Sequence, residues 1–529
     1  MPRVLKLDMK QSIPQFLKKF SFLFSLSLLV MVSCNKKQEK VLQDEKKPNV
    51  LIIYMDDLGY GDVGYNGGKI ATPNIDNLAA GGLVFKNGYA SSATCTPSRY
   101  ALLTGIYPWR NKDAKILPGS APLLIDTSQV TIPKVMQDAG YDTGVIGKWH
   151  LGLVSGNIDW NERISPGPNE VGFDYSYIMA ATQDRVPTVF LKNGVVVGLD
   201  PNDPIEVSYL ENFVGEPTSI DHPELVKMKW HHGHNNSVSN GIPRIGFMKG
   251  GAQAKWVDTT MSKTFLKQAQ QYVTSNKNKP FFLYYAMQQP HVPRTPNPKF
   301  VGKSGRGPRG DVIMEADWTI GQLMKTLKDE NLLDNTLIIF TSDNGPVLND
   351  GYNDDAVEKL GNHTPWGPFS GGKYSLLEAG THVPFITYWK GKIEPGTSEA
   401  LVSQLDLVAS LSDLVNQNIS QTDSQNLMYT LLGKSAQERT ELVIEATSRT
   451  ALRKGEWVMI PPYPGPQVLN NVDIESGNSN EYQLYNLSND KNEQNNLAKT
   501  NKDKLEDMIK SFETIRGKDY KNIHQLELK

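Results

Sequence analysis

One segment of the chain places a reactive residue type in a rigid, polar setting. The stretch SSATCTPSRYALLTG contains Cys95, one of two cysteines among 529 residues. Pro97 suits the first turn of a helix and Gly105 suits its end, so the sequence predicts a helix that begins near Cys95. Free backbone N–H groups and the helix dipole favour an anion there. Arg99 lies on the same helix face as Cys95, and together these residues indicate a site that binds an oxyanion.

Two acidic pairs follow apolar runs. Asp56 and Asp57 end NVLIIYMDD, and Asp343 and Asn344 follow NTLIIFTS. Adjacent carboxylates repel each other unless a cation or a proton lies between them. Oxygen ligands from separate loops suit Ca²⁺ or Mg²⁺, whereas zinc prefers histidine and cysteine. A single pair of this kind is usually a cap or a turn, and Asp-Asn-Gly is a favoured turn. Because both pairs end predicted strands, we favour a metal site.

The elements that must position these residues share a pattern, an apolar run that ends in polar residues. YDTGVIGKWHLG ends in Lys148 and His150, and KPFFLYYAMQQPHVP ends in His291. Such runs suit strands buried on both faces, and helical stretches such as DVIMEADWTIGQLMKTLKDEN separate them. The predicted fold class is therefore α/β, with a mostly parallel sheet flanked by helices. Ligands bind beyond the carboxyl ends of such strands, so these polar ends are expected to form one site.

The sequence changes character from about residue 435. ELVIEATSRTALRKGEWVMIPP and EYQLYNLSNDKNEQNNLA are typical of strands in a smaller antiparallel sheet, and a helix is expected near Lys502–Ile515. We therefore predict a catalytic domain over 49–434 and a smaller C-terminal subdomain over 435–529. The net charge of −2 gives no electrostatic reason for nucleic-acid binding.

The N-terminus has the pattern of an export signal. Lysines precede the apolar run FSFLFSLSLLVMVSC, which is too short for a comfortable membrane span. Its end, Met-Val-Ser-Cys, resembles a bacterial lipobox, so we predict a lipoprotein signal over 1–34, a lipid on Cys34 that attaches the protein to a membrane, and a polar tether over 35–48. The expected location is the periplasm or outer membrane of a Gram-negative bacterium. A plain secretory signal is the alternative, and a Cys34–Cys95 disulfide is a further, disfavoured one.

Two motifs resemble the signatures of the type I sulfatases, within the alkaline phosphatase superfamily. They are CTPSR followed by YALLTGIYP, and GVIGKWHLG. The resemblance runs from about Asn49 to beyond Gly380. It implies an alkaline phosphatase-like fold with a large mixed sheet, and a sulfuric ester hydrolase. In that family the signature cysteine is oxidised to formylglycine, whose hydrate is the nucleophile. Cys95 would then need a formylglycine-generating or anaerobic sulfatase-maturating enzyme as a partner.

The resemblance also implies a metal site. One Ca²⁺ would be held by Asp56, Asp57, Asp343, Asn344 and the modified Cys95, with a sulfate oxygen completing the shell. The metal would polarise the sulfur centre and favour the ionised nucleophile.

The same resemblance implies roles for the remaining polar residues. Arg99 would orient the formylglycine hydrate, and Lys148 and Lys373, the latter in FSGGKYSLLEAGTHVPF, would bind sulfate oxygens. His291 would protonate the leaving alcohol oxygen, because negative charge builds there as the ester breaks. His150 would take a proton from the second hydroxyl, so that the sulfated intermediate expels sulfate by elimination and restores the aldehyde.

Segments outside the signatures are expected to bind the substrate. Residue types that hydrogen-bond to sugar hydroxyls or stack on pyranose rings are Asp184, Arg185, Asp354, Asp355, His363 and Trp366. His231, His232 and His234 could indicate zinc, but without a fourth ligand a loop is favoured. The predicted substrate is a sulfated glycan, cleaved in exo fashion at galactose or N-acetylgalactosamine sulfate, with the 6-position preferred.

Two alternatives stay open at this point. A phosphodiesterase or phosphonate monoester hydrolase of the same superfamily can share the formylglycine signature. An inactive, surface-anchored glycan-binding lipoprotein is the other alternative, although no residue favours it.

Overall fold

A computed structural model of the chain describes residues 47–420 and 422–521. The predicted signal and nearly all of the tether lie outside the described residues. Strands in the described part are β1 Asn49–Asp56, β2 Leu83–Tyr89, β3 Asp142–Lys148, β4 Tyr175–Met179, β5 Phe190–Lys192, β6 Val195–Val196, β7 Glu206–Ser208, β8 Val238–Ser239, β9 Ile242–Pro243, β10 Phe247–Lys249, β11 Phe281–Pro290, β12 Thr336–Ser342, β13 Phe385–Tyr388, β14 Gly396–Ser403, β15 Glu441–Ala446, β16 Arg449–Lys454, β17 Trp457–Ile460, β18 Val468–Leu469, β19 Ile474–Glu475 and β20 Gln483–Asn486. The α-helices described are α1 Pro73–Gly81, α2 Cys95–Thr104, α3 Ile132–Asp138, α4 Met261–Ser275, α5 Gly307–Asp329, α6 Leu407–Leu414, α7 Met428–Leu431 and α8 Lys502–Arg516.

The apolar run that starts at Asn49 forms β1, in the middle of a ten-stranded sheet. The strand order is β14-β2-β13-β12-β1-β11-β3-β4-β5-β6. β1 pairs in parallel with β11 and β12, and β11 continues in parallel to β3 and then β4. The reversed strand β13 pairs antiparallel with β12 and β2, and β5 pairs antiparallel with β4. The sheet is therefore mixed and mostly parallel.

Both faces of this sheet are covered, which explains why its strands are apolar at consecutive positions. Val50, Ile52 and Tyr54 of β1 pack in one core with residues of α2, α3, α6 and α7. Leu51 and Ile53 pack in a second core with residues of α1, α4 and α5. Successive side chains of a strand point to opposite faces, so a run without polar residues is what such a two-sided core requires.

A smaller antiparallel sheet, in the order β15-β16-β17-β20, lies in the C-terminal part and packs with α8 around a third core. Its β15 adjoins the segment after β2 of the large sheet, because the Ala93 N–H donates to the Glu445 carbonyl at 2.8 Å. The predicted fold class is confirmed, including the terminal helix. The domain boundary at residue 435 stays a prediction.

The described residues from Pro48 onwards form one compact unit. Among the described residues, no helix combines the length and the apolar character that crossing a membrane would need.

Candidate active site at the carboxyl ends of the strands

The register of the two central strands brings the acidic pairs together. β1 and β12 are parallel, with Met55 opposite Ser342, so the residues that follow each strand meet at one edge. Asp56, Asp57, Asp343 and Asn344 are all fully buried. The backbone turns sharply here: Asp57 has a φ of 63°, and its N–H donates to Asp343 Oδ1 at 3.2 Å.

These side chains bring together a group of oxygen atoms that suits a bound cation. Ligand atoms of Asp56, Asp57, Cys95 and Asp343 all lie within 4.8 Å of one another. Asn344 Nδ2 donates to Asp57 Oδ1 at 2.7 Å, while its buried Oδ1 has no hydrogen-bond partner in the described part of the chain. Burial, with the neighbouring Asp343, raises the pKa of Asp56 well above its usual range. Since a buried carbonyl oxygen and crowded carboxylates are costly unless compensated, the residues fit a hard divalent metal ion.

Cys95 is the first residue of α2, as the sequence predicts. Its side chain is 2% exposed, and its Sγ lies 3.6 Å from Asp56 Oδ1. The helix ends after Thr104, where Gly105 has a left-handed φ of 67° and its N–H donates to the Ala101 carbonyl. Burial raises the pKa of the Cys95 thiol well above its ordinary value, although Lys148 and Lys373 act in the opposite direction. The thiol is therefore protonated and is not an activated thiolate.

Arg99 faces the carboxylates from the next turn of α2. Its Nε and Nη2 donate to Asp343 Oδ2 at 3.0 and 2.7 Å, and its Nη1 donates to the Lys148 carbonyl at 3.1 Å. A guanidinium fixed by these hydrogen bonds, and by a longer one to the Tyr284 hydroxyl, holds α2 against the ends of β3 and β12.

Two buried lysines complete this group. Lys148, at the end of β3, donates to Asp56 Oδ2 at 2.7 Å, and Lys373 donates to Asp57 Oδ2 at 2.9 Å. Lys373 also donates to Asp350 Oδ2 at 2.8 Å. Sequence reasoning missed Asp350, although it lies in the loop that follows Asp343. We call Asp56, Asp57, Cys95, Arg99, Lys148, Asp343, Asn344, Asp350 and Lys373 the strand-end cluster.

Each of the two histidines has one ring nitrogen fixed and the other available. His150 Nε2 lies 2.9 Å from the Leu117 carbonyl, and His291 Nδ1 lies 2.6 Å from the Val292 carbonyl. A carbonyl only accepts, so these nitrogens carry the protons. His150 Nδ1 is buried and has no hydrogen-bond partner within residues 47–420 and 422–521, and His291 Nε2 lies 3.9 Å from Asp57 Oδ2.

The histidines are neutral in this environment. Burial, then Lys148, lowers the pKa of His150 well below its usual range. Burial, then Lys373 and Lys148, does the same for the pKa of His291. The free nitrogens are therefore proton acceptors until a bound anion offsets the lysines.

Asp184 and Arg185 lie beside these histidines. Arg185 Nη1 is 3.1 Å from Asp184 Oδ1, and His234 Nε2 is 2.9 Å from Asp184 Oδ2. Burial alone would raise the pKa of Asp184, but Arg185 and His234 hold it well below its usual range. The charge of Arg185 contributes to the low pKa of His150, so this trio borders the site. His234, for which a loop role was favoured, is thus a partner of Asp184.

The other predicted substrate residues lie in different contacts. Asp354 pairs with Arg294 at 3.0 Å, and Asp355 pairs with Lys359 at 2.7 Å on the surface. Trp366 lines a groove of about 410 Å³ beside Pro346 and Gly371. The structure does not bring these three to the strand-end cluster, and their roles stay predictions.

His363 lies in a second buried group of charges. Its Nε2 lies 2.8 Å from Asp62 Oδ1, and Arg309 donates to both Asp62 oxygens, at 2.7 and 2.6 Å. We call Asp62, Arg309 and His363 the Asp62 cluster. The predicted substrate role of His363 also stays a prediction.

The histidine run is split by the fold. His231 Nδ1 and His232 Nδ1 are 2.7 Å apart, whereas His234 turns to Asp184. Among the described residues, the groups with metal-binding geometry contain none of these three histidines. The geometry therefore gives no support to a zinc site there.

Known proteins resemble this chain along most of its length. The sequence model of the sulfatase family matches residues 48–417. An N-acetylgalactosamine-6-O-sulfatase of Bacteroides thetaiotaomicron is 48% identical over 497 residues, which cover 92% of this chain and 97% of that protein. Human arylsulfatase A is 32% identical over 401 residues, 75% of this chain and 70% of that protein.

A solved structure gives the same result. It comes from work on the metabolism of multiple glycosaminoglycans by Bacteroides thetaiotaomicron, and it superposes with a TM-score of 0.88 at 48% identity. The match covers 89% of this chain and 99% of that one.

Proposed function

The chain belongs to the sulfatase family, and from that premise we propose that it removes the 6-O-sulfate from N-acetylgalactosamine units of sulfated glycans. The observation that carries the chemistry is that the charges of the buried Lys148 and Lys373 act on Cys95, while a ring nitrogen of His291 lies within 4.8 Å of its Sγ. The name of the bacterial relative supports the sugar and the position, because the similarity extends over nearly all of both chains.

We propose that the metal is Ca²⁺, held by Asp56, Asp57, Asp343 and Asn344. Carboxylate and amide oxygens are ligands that this ion prefers, and the unpartnered Asn344 Oδ1 supports its participation. The strand-end cluster contains four carboxylates and three basic side chains, so one divalent cation also offsets its excess negative charge. When bound, the ion would supply Lewis-acid polarisation of the sulfate ester.

Oxidation of Cys95 to formylglycine by a maturation enzyme would supply a geminal diol as the nucleophile. The buried, protonated thiol supports this proposal, because an unmodified thiol with a raised pKa is a poor nucleophile. Arg99 fixes the helix that carries residue 95 by binding Asp343 and the Lys148 carbonyl. The nucleophile would therefore be attached to a rigid element.

Lys148 and Lys373 would bind the sulfate oxygens. Both ammonium groups are buried, and each donates to a carboxylate of the proposed metal site. Fixed cations in a water-poor site stabilise negative charge more strongly than cations in water. Asp350 would act as a positioning residue, since it accepts a second hydrogen bond from the Lys373 ammonium, in addition to the one accepted by Asp57.

The two histidines would move the protons. His150 Nδ1 has a free lone pair and would accept a proton from the nucleophile's second hydroxyl. His291 would protonate the leaving sugar oxygen from Nε2, since its Nδ1 is occupied by the Val292 carbonyl. The pKa of His291 is low in the free site, and a bound sulfate anion would raise it by offsetting Lys373 and Lys148.

Asp184, Arg185 and His234 would bind the hydroxyls of the sugar ring. Their mutual contacts hold charged and polar groups rigidly at the border of the site, which is how a sugar orientation is selected. A preference for the galacto configuration would depend on this trio.

The test is a comparison of substrates on one preparation of matured protein. N-acetylgalactosamine 6-sulfate should be turned over at least about a hundredfold faster than the 4-sulfate, because a wrong position leaves buried polar groups unpaired. A phosphate monoester and a phosphodiester are assayed alongside. Equal turnover of the 4-sulfate would refute the positional assignment, and faster turnover of a phosphate ester would refute the proposed sulfatase activity.

We also propose that the protein is exported and held at a membrane by a lipid on Cys34. The support is the sequence pattern that ends in Met-Val-Ser-Cys. In a bacterial host, Cys34→Ala should move the protein from the membrane fraction to the soluble fraction. Unchanged membrane association would reject the lipid anchor.

A further inference from the structure

A cavity of about 530 Å³ lies where the edge of the large sheet meets the small sheet. Strands β2 and β14 contribute one wall, and β16, the β16–β17 turn and the segment after β20 contribute another. None of its lining residues belongs to the strand-end cluster. We propose that this cavity binds one sugar unit of a glycan chain, at a site separate from the catalytic one.

One side of the cavity is aromatic. Phe369 and His382 stack with ring centroids 4.1 Å apart at 24°, and Tyr60 packs edge-on against Phe369 at 5.1 Å. All three residues line the cavity. Phe369 and His382 are 8% and 2% exposed, so the C–H face of a pyranose ring would pack mainly against the half-buried Tyr60, while its hydroxyls remain free for polar contacts.

A buried polar atom on the same lining lacks a partner. Arg453 is 5% exposed, and its Nε donates to the Tyr89 hydroxyl at 3.1 Å. Its Nη1 is buried and has no hydrogen-bond acceptor among the described residues. An unpaired buried donor is costly, so a ligand oxygen would relieve the cost if the guanidinium turned towards the cavity on binding.

The remaining charged groups narrow the ligand class. The basic lining residues are Lys86, Arg453 and Lys491, and the acidic ones are Glu399, Glu438 and Glu456. Over residues 47–420 and 422–521, neither Lys86 nor Lys491 forms an ion pair. A simple anion would leave the glutamates unused, and a simple cation would leave the lysines unused. Hydroxyl groups both donate and accept, so a sugar suits both sets.

A second sugar site would hold a polymer near the catalytic centre. Binding one unit makes a second contact with the same chain intramolecular, which raises its effective concentration. The sugar-binding character follows from the cavity itself, whereas the choice of polymer rests on the proposed function. The polymer that the proposed function indicates is a galactosaminoglycan such as chondroitin.

The test measures binding of an unsulfated chondroitin hexasaccharide, which the enzyme cannot desulfate, to the matured protein by calorimetry. Tyr60→Ala combined with Lys491→Ala should weaken binding by at least about tenfold, because a stacking contact and a donor are lost. Lys499→Ala is the matched control, since this lysine is 80% exposed and pairs with Glu481 outside the cavity. Its binding should equal that of the wild type.

Arg185→Ala separates this cavity from the catalytic site. Hexasaccharide binding that persists in Arg185→Ala supports a second site. If Arg185→Ala abolishes binding while the Tyr60→Ala, Lys491→Ala double variant binds like the wild type, the second site is overturned. No binding by the wild type also overturns it. Turnover of N-acetylgalactosamine 6-sulfate by the double variant should stay within about twofold of wild type. Failure of every variant and the wild type on that monosaccharide would refute the proposed function alone.

Discussion

Two buried groups of charges, the strand-end cluster and the Asp62 cluster, are built on opposite principles. In the Asp62 cluster each carboxylate oxygen accepts two hydrogen bonds: Oδ1 from Arg309 and His363, and Oδ2 from Arg309 and the Gly59 N–H. Although burial would raise it, Arg309 and His363 hold the pKa of Asp62 at about 2. Both oxygens of the Asp62 carboxylate are thus fully hydrogen-bonded, although Arg309 Nε is buried without an acceptor among the described residues.

The strand-end cluster is left incomplete. Among the residues that the structure describes, neither Asn344 Oδ1 nor His150 Nδ1 has a hydrogen-bond partner, and the pKa of Asp56 is raised whereas that of Asp62 is lowered. Asp57 and His150 also have positive φ values of 63° and 56°. Crowded carboxylates and a strained backbone persist only where something else compensates, so the comparison supports the strand-end cluster as the proposed functional site.

The largest expected effect is on chemistry in the strand-end cluster. Cys95→Ala should lower turnover by about 10⁴-fold or more, because the nucleophile is lost. The melting temperature of Cys95→Ala should stay close to that of the wild type, since the side chain that is removed is small. Mass spectrometry of the wild type should find formylglycine at position 95. Turnover by the alanine variant, or an unmodified thiol in an active enzyme, would contradict the mechanism.

The next effect concerns the metal. Asp343→Ala removes a proposed ligand and the main partner of Arg99, so calcium per chain should fall to background and turnover by about 10²-fold or more. Elemental analysis of the purified protein measures the metal. Asp355→Ala, an acid paired with Lys359 on the surface, is the control and should retain both. Undiminished calcium in Asp343→Ala would count against the site.

Substitution in the Asp62 cluster should lower the stability of the fold and not the rate of the reaction. Arg309→Met leaves the Asp62 carboxylate buried without its counter-ion, so the free energy of unfolding should fall by about 3–5 kcal/mol. Turnover per folded molecule of Arg309→Met should fall far less than the turnover of the strand-end variants Cys95→Ala and Asp343→Ala. Lys359→Met, which breaks an exposed pair, is the control and should unfold like the wild type. A large loss of turnover in folded Arg309→Met would place this cluster in catalysis.

Much of the fold was predictable because local patterns determine it. The run NVLIIYMD became the fully buried β1, and the helical stretch beginning at Asp311 became part of α5. The meeting of Asp56 with Asp343 was also predictable, since parallel strands present their carboxyl ends at one edge. These inferences need only the period of the apolar residues and the residue type at each strand end.

Pairings between distant loops were not predictable in this way. Asp184 meets His234, and Asp62 meets Arg309 and His363, across long stretches of chain that carry no shared pattern. The sequence therefore favoured a loop role for His234 and a sugar-binding role for His363, whose ring is held by Asp62. Register between strands carries long-range information, whereas loop contacts depend on packing that composition does not encode.

The smallest effect is a difference in the pH dependence of stability. Asp62 has a folded-state pKa of about 2, below the ordinary value, so its stabilising contribution is present above pH ~4 and is lost as the pH falls towards 2. Between pH 5 and pH 2, wild type should therefore lose about 2 kcal/mol more than Asp62→Asn in denaturant unfolding. Equal losses in the two proteins would contradict the assignment. Asp56, with a raised pKa, should act in the opposite sense in chelator-treated protein, because its ionisation destabilises the folded state as the pH rises.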